Sequence, residues 1–208
     1  ISPRRVSMKL AHRGIAGLIR LISGVRPLPA AALPAGASVY FANHSSHLDF
    51  AVIWAALPAT HRATTRPVAG RDYWEKSALR RFIARDFFNA VLIERQRVTT
   101  ATNPLEPMLA ALDAGASLIV FPEGTRGSGE IQPFKPGLFH IARARPAIPL
   151  VPTCLENLNR ILPKGEILAV PVLGSIRIGP ALTLEPRETK ADFLSRARLA
   201  VQALQRSS

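Results

Sequence analysis

Strand-like and helix-like stretches alternate along this chain, and the alternation limits its fold more than any other feature. Apolar runs stand at ASVYFA (37–42), RPVAG (66–70), AVLIE (90–94), SLIVF (117–121) and IPLVPT (148–153). Segments of helical period lie between them, near 46–57, 74–86, 103–114 and 136–145. Strands joined through helices pair in parallel, with the helices laid on the faces of the sheet. The expected class is α/β, a single domain with a largely parallel or mixed sheet flanked by helices. Beyond Pro152 the text becomes Pro- and Gly-punctuated, with strand-like AVPVLGSIRI at 169–178 and a closing helix from about Glu188 to Gln205. A length of 208 residues suits one domain.

Before the alternation begins, RRVSMKLAHRGIAGLIRLIS (4–23) has its own helical period. At 100° per residue, Arg5, Lys9, Arg13 and Arg20 fall on one side and Met8, Ala11, Ile15, Leu18, Ile19 and Ile22 opposite. Two readings fit: an anchor lying in the plane of an anionic membrane, or a surface helix docked on the core. A Pro-rich connector, RPLPAAALPAG, follows. Residues 1–30 are thus expected to form a basic helix and connector ahead of a domain at 31–208. No segment approaches the roughly 18 consecutive apolar residues of a spanning helix. The formal net charge of +13 predicts attraction to a polyanion, whether nucleic acid, an anionic membrane or a phosphorylated substrate. Against nucleic acid stand an aromatic content of 6% and the lack of a recognised binding motif. The single cysteine, Cys154, excludes an internal disulfide and is expected to be a buried, inert thiol.

Ligands of open α/β sheets bind beyond the carboxyl ends of the strands. Three polar clusters stand there: NHSSHLD after VYFA, ERQR after AVLI, and PEGTR after SLIVF. The first admits three readings. As a metal site it fails the H-x-H-x-D-H pattern twice, at Ser45 and Phe50, and His12, His61 and His140 supply no ligand spacing with it. As a capping box, Ser46 caps the following helix and Asp49 returns a bond to the Ser46 amide. As an acid/base pair, His44 in the strand-to-helix turn is met by Asp49 from the first helical turn, which fixes its tautomer. In the other clusters, Gly124 allows close backbone approach and Arg126 suits a phosphate. Taken alone, PEGTR reads first as a turn with a surface ion pair, and Glu94-Arg95-Gln96-Arg97 as a solvated strand end.

Taken together, NHSSHLD, then I-E-R, then FPEGTR with PFKPG, then IPLVP resemble the four sequence blocks of the glycerolipid acyltransferases related to lysophosphatidic acid acyltransferase. The resemblance covers roughly residues 38–155. It implies a glycerol-3-phosphate acyltransferase-like fold and transfer of a fatty acyl group from acyl-CoA or acyl carrier protein to the hydroxyl of 1-acylglycerol-3-phosphate. It casts His44 as general base and Asp49 as its orienting carboxylate. Arg95, Glu123, Gly124, Thr125 and Arg126 are cast as the phosphate-binding group, with Glu123 holding Arg126 or accepting a glycerol hydroxyl. No metal and no cofactor beyond the acyl donor is implied, and His47 receives no role. The implied partners are a lysophospholipid acceptor, an acyl thioester donor with acyl carrier protein among its forms, and an anionic membrane surface. The implied location is peripheral, on the cytoplasmic face of a bacterial cell membrane. Alternatives are acylation of another lyso-lipid, such as lyso-ornithine lipid, and a basic nucleic-acid or lipid-binding module without catalysis.

Overall fold

The computed structural model describes residues 3–46, 48–95, 103–127, 130–157 and 174–206. Strand β1, Val39–Ala42, is apolar at every position, and each of its side chains is fully buried. Such a run suits a strand covered on both faces. Tyr40 and Ala42 join one apolar cluster with Ile119, Val151 and Leu155, while Val39 and Phe41 join another with Leu118, Leu150 and Cys154. Burying each large apolar side chain contributes about 1.5–3 kcal/mol, so the centre of the sheet carries much of the stability.

The other strands are β2 (Thr65–Gly70), β3 (Val91–Ile93), β4 (Ser117–Val120), β5 (Leu150–Glu156) and β6 (Ser175–Ile178). They lie in the order β3-β2-β4-β1-β5-β6. The first five are parallel, and β6 closes the edge antiparallel to β5. From β1 the chain steps outward to β2 and β3, returns to insert β4 beside β1, then crosses to β5 on the far side. The segments leaving β1, β2, β3 and β4 therefore emerge at one end of the sheet, where α/β folds bind ligands.

Helices α1 (Pro3–Ser23) and α2 (Asp49–Ala56) cover one face. Helices α6 (Leu105–Asp113), α7 (Gly137–Ala144) and α8 (Lys190–Arg206) cover the other. Helix α8 sets Phe193, Ala197 and Val201 inward at four-residue spacing, all fully buried. A short α3, Ala59–Thr64, follows Pro58 and is not foreshadowed by any apolar period in ATHRAT. It carries Arg62, whose Nη1 donates to the carbonyls of Ala55 and Leu57 at the carboxyl end of α2. The guanidinium lies over the Trp54 ring, and a cation is well placed at a helix carboxyl end. Among the described residues no helix is long and apolar enough to cross a membrane.

Two expectations change. The helix anticipated over 74–86 is broken into α4 (Arg71–Trp74), α5 (Ala78–Arg81) and a π-helical stretch, Phe82–Phe87. Extended Ser77 interrupts it, and its hydroxyl accepts the Arg80 amide to start α5 afresh. The wide turn brings the consecutive Phe87 and Phe88 inward against Trp54. Helix α1 forms where its period predicts, but it does not dock by its apolar row. Ala16 and Ser23 are buried and His12 meets Trp54 and Phe87, while in the apolar row Met8, Ile15, Leu18 and Ile22 are 36%, 37%, 54% and 39% exposed and Ile19 packs partly buried against the core. Small side chains permit the close approach to α2, so most of the apolar row is left outside.

Candidate active site

Strand β1 ends by a side-chain clamp. The Asn43 amide donates to the Leu155 carbonyl and accepts the Leu155 amide, each at 2.8 Å, continuing the β1–β5 ladder one step through a side chain. The backbone is thereby free to leave the sheet at His44. There the His44 amide donates to Glu123 Oε1 at 2.7 Å, and the His44 carbonyl accepts the Gly127 amide at 2.8 Å. The turn after β1 is held on both sides by the segment after β4.

His44 Nδ1 lies 2.9 Å from Asp49 Oδ2. Asp49, in the first turn of α2, is fully buried, and the same oxygen accepts the amides of Ser45 at 2.6 Å and Ser46 at 2.8 Å. Three donors on one oxygen fix the carboxylate. An acceptor opposite Nδ1 assigns the proton to Nδ1, leaving Nε2 as the acceptor nitrogen. Phe121 stacks on the imidazole at 4.2 Å between centroids and 18° between planes, completing a floor beneath the ring. The Ser46 half of the capping expectation is altered: its hydroxyl accepts the Leu48 amide, and Leu48 is the residue at the cap position. The amides of Ser45 and Ser46 face Asp49, so neither serves as an oxyanion donor. His47 lies outside the described residues, as do Gln96 and Arg97 of the second cluster.

Glu123 differs from its expected role. It is 4% exposed, with its second oxygen accepting the Gln132 amide at 2.8 Å. With both oxygens engaged by backbone amides it neither grips Arg126 nor lines the cavity; it ties the β1 turn to the loop leading into α7. Burial pushes its carboxyl above the ordinary glutamate value, against the two amide bonds and the nearby His44, which lower it. Next to it, Gly124 has φ +73, and a Cβ there would stand 2.6 Å from Lys135 Nζ. Only glycine lets the Lys135 chain cross the turn this closely.

Arg95 follows β3 and is tied to Asp72, after β2: its Nη2 donates to both carboxylate oxygens at 3.0 Å and its Nε to Oδ1 at 3.2 Å. The pair exists because Gly70 has no side chain; a Cβ there would lie 2.2 Å from Arg95 Nε. Asp72 and Gly70 carried no signal in the sequence, since nothing local marks a partner 23 residues away.

A cavity of about 300 Å³ opens at this end of the sheet. His44, Gly124, Thr125, Arg126 and Arg95 line it together, whereas Asp49 and Glu123 sit behind its wall. Thr125 and Arg126 are exposed, and among the described residues Arg126 makes no ion pair. Phe50, Val68, Trp74 and Phe88 give the cavity an apolar side. The site offers a fixed imidazole, cationic guanidinium groups and an apolar wall within one space. That combination suits a reaction on a molecule with a hydroxyl, an anionic group and a hydrocarbon chain.

Known proteins agree with this architecture. A 1-acyl-sn-glycerol-3-phosphate acyltransferase of Brassica napus chloroplasts is 30% identical over 152 residues, 70% of this chain and 39% of that protein. The 1-acyl-sn-glycerol-3-phosphate acyltransferase of Escherichia coli K12 is 29% identical over 140 residues, 61% of this chain and 52% of that one. This chain therefore spans about half or less of the length of these relatives. The crystal structure of the 1-acyl-sn-glycerophosphate acyltransferase PlsC from Thermotoga maritima superposes with a TM-score of 0.75 at 19% identity, over 99% of this chain and 83% of that one. The two share one fold. A family model described as acyltransferase matches residues 23–156, most of the chain and all of the segments that build the cavity, and the chain belongs to that family.

Proposed function

We propose that this chain moves a fatty acyl group from acyl-CoA or acyl carrier protein to the free hydroxyl of 1-acylglycerol-3-phosphate, making phosphatidic acid. The observation that carries the reading is the His44–Asp49 hydrogen bond at 2.9 Å, on a cavity that Arg126 also lines. His44 Nε2 takes the hydroxyl proton as the oxygen attacks the thioester carbonyl carbon. The tetrahedral adduct collapses, the C–S bond breaks, and the imidazolium returns the proton to the leaving thiolate. Asp49 holds the ring and balances its charge while the proton is in transit. Base catalysis of this kind is worth about 10²–10⁴-fold in rate. Arg126 receives the acceptor's phosphate, and Arg95, already neutralised by Asp72, forms the far wall.

The acceptor lies in a bilayer, and the exposed apolar residues Met8, Ile15, Leu18 and Ile22 of α1, together with a formal net charge of +13, support work at an anionic membrane surface. Each basic residue near such a surface adds about 1 kcal/mol. On this reading the enzyme is peripheral, on the cytoplasmic face of a bacterial cell membrane.

The test is an acceptor panel with both donors: lysophosphatidic acid, its dephosphorylated analogue, glycerol-3-phosphate and lyso-ornithine lipid. Phosphatidic acid formed preferentially from lysophosphatidic acid is expected. Preference for another acceptor overturns the substrate, and inactivity with all of them overturns the activity.

A further inference from the structure

The cavity wall has an outward side that the reaction does not use. The wall includes Ala84 and Phe88, at the inner side of the α5 and π-helical segment, together with Tyr73, Trp74 and Lys76 just before it. The outer side of that same segment presents Leu79 and Phe82, 67% and 52% exposed. They are three residues apart, so their side chains are neighbours on the helix. Leaving a leucine and a phenylalanine in water forgoes substantial burial, and scattered single exposures differ from a paired one at a cavity rim.

The charges around the pair are cationic. From Arg71 to Asp86 the chain carries Arg71, Lys76, Arg80, Arg81 and Arg85 against Asp72, Glu75 and Asp86. Asp72 is engaged by Arg95, and Glu75 by Arg85 with Arg71 close by. Arg80 lies over the Tyr73 ring at 4.4 Å, and Lys76 and Arg81 are exposed. Two apolar tips flanked along the chain by Lys76, Arg80 and Arg81 match an anionic lipid interface, where the tips enter the acyl boundary and the cations remain among the headgroups.

We infer that the Leu79–Phe82 turn is a second membrane contact, separate from α1, that seats the cavity rim on an anionic bilayer. The inference rests on the lipid acceptor proposed above. Helix α1 and this segment meet where His12 Nε2 donates to the Phe87 carbonyl at 3.0 Å, so the two contacts are mechanically joined. With the rim seated, an acceptor lipid can pass from the leaflet to His44 without full exposure of its chain to water.

The experiment uses the full chain. Cys154 is fully buried, so Leu79→Cys supplies the reactive thiol for an environment-sensitive fluorophore. Leu199→Cys is the control, 58% exposed on α8 across the sheet. Vesicles of phosphatidylglycerol and phosphatidylcholine carry a doxyl-labelled lipid as quencher. The Leu79 probe is expected to be quenched and the Leu199 probe to remain unquenched. The double variant Leu79→Glu, Phe82→Glu is expected to partition onto these vesicles about tenfold less or weaker, while turnover of a short-chain, water-soluble acceptor stays within about twofold. Equal quenching of the two probes, or unchanged partition of the double variant, overturns the inference. So does a double variant that keeps its partition but loses only turnover with acyl carrier protein, since the rim would then be a protein dock. Inactivity of the wild type with the soluble acceptor refutes the proposed reaction instead, and the quenching result still decides the membrane contact.

Discussion

Replacing Asp49 by Asn separates a helix-capping carboxylate from a catalytic one. In the wild type a single buried oxygen accepts His44 Nδ1 and the amides of Ser45 and Ser46. The other oxygen, Oδ1, is buried and among the described residues has no partner. An Asn side chain therefore has one sensible orientation, with its carbonyl oxygen in the Oδ2 position, because the reverse would orphan two buried amides. That orientation keeps all three bonds but makes them neutral, and it buries an NH₂ where no acceptor stands among the described residues. Losing charge assistance and orphaning the NH₂ costs about 2–4 kcal/mol of folding stability. The histidine tautomer survives, so the loss in chemistry comes from an imidazolium no longer balanced by a carboxylate. If the same 2–4 kcal/mol falls on the transition state, kcat drops about 30- to 1,000-fold with KM little changed. Urea unfolding and steady-state turnover on the same preparation measure both. Ser46→Ala is the control: among the described residues it removes only the 3.3 Å contact to the Leu48 amide, and kcat should stay within about twofold. An Asp49→Asn enzyme that loses stability but retains wild-type kcat would refute the reasoning and reduce Asp49 to a cap.

Arg126→Ala should raise KM for lysophosphatidic acid by about 5–30-fold, the equivalent of 1–2 kcal/mol for one charge-assisted contact, and leave the dephosphorylated acceptor unaffected. An unchanged phosphate preference in paired kinetics moves the grip elsewhere. Gly70→Ala forces Arg95 away from Asp72; because the pair is half exposed, unfolding should shift by less than about 1 kcal/mol, while KM for the phosphorylated acceptor changes severalfold. Wild-type acceptor kinetics in that variant would remove Arg95 from the account of the site. Glu123 makes a pH prediction. Its carboxyl is raised by burial, so between the ordinary value of 4.5 and its folded value the native state binds more protons than the unfolded one. Its contribution to stability therefore falls as pH rises through that window and is flat above it. Unfolding free energy measured across the window should carry this slope in the wild type and lose it in Glu123→Gln; parallel curves for the two proteins contradict the assignment.

The parallel sheet was legible because strands covered on both faces must be largely apolar, as VYFA and the LIV of β4 are. Helix α8 was legible because Phe193, Ala197 and Val201 repeat at the helical period. The His44–Asp49 contact could be read because both partners lie within one strand-to-helix turn, where five residues of spacing suffice to bring them together. Contacts between distant segments could not be read. Asn43 meets Leu155 112 residues away, and Glu123 meets His44 79 residues away; only the placement of β4 and β5 beside β1 brings them into reach. The docking face of α1 was hidden for a different reason. Close helix packing selected Ala16 and Ser23 over Met8, Ile15, Leu18 and Ile22, so the strongest apolar signal marked a face that remains largely outside. The break at Ser77 likewise overrides a helical period that the residues on either side maintain.

The account depends most on His44 as the proton acceptor in a direct transfer. Its most direct test is single-turnover acyl transfer by wild type and His44→Ala, at saturating lysophosphatidic acid and labelled acyl thioester, with protein-bound label followed by intact-mass analysis. The predicted result is a rate lower by about 10²–10⁴-fold in a variant that unfolds at the wild-type urea concentration, with no acyl group on either protein. Wild-type rates in His44→Ala, or an acylated enzyme that forms and decays with turnover, would contradict it.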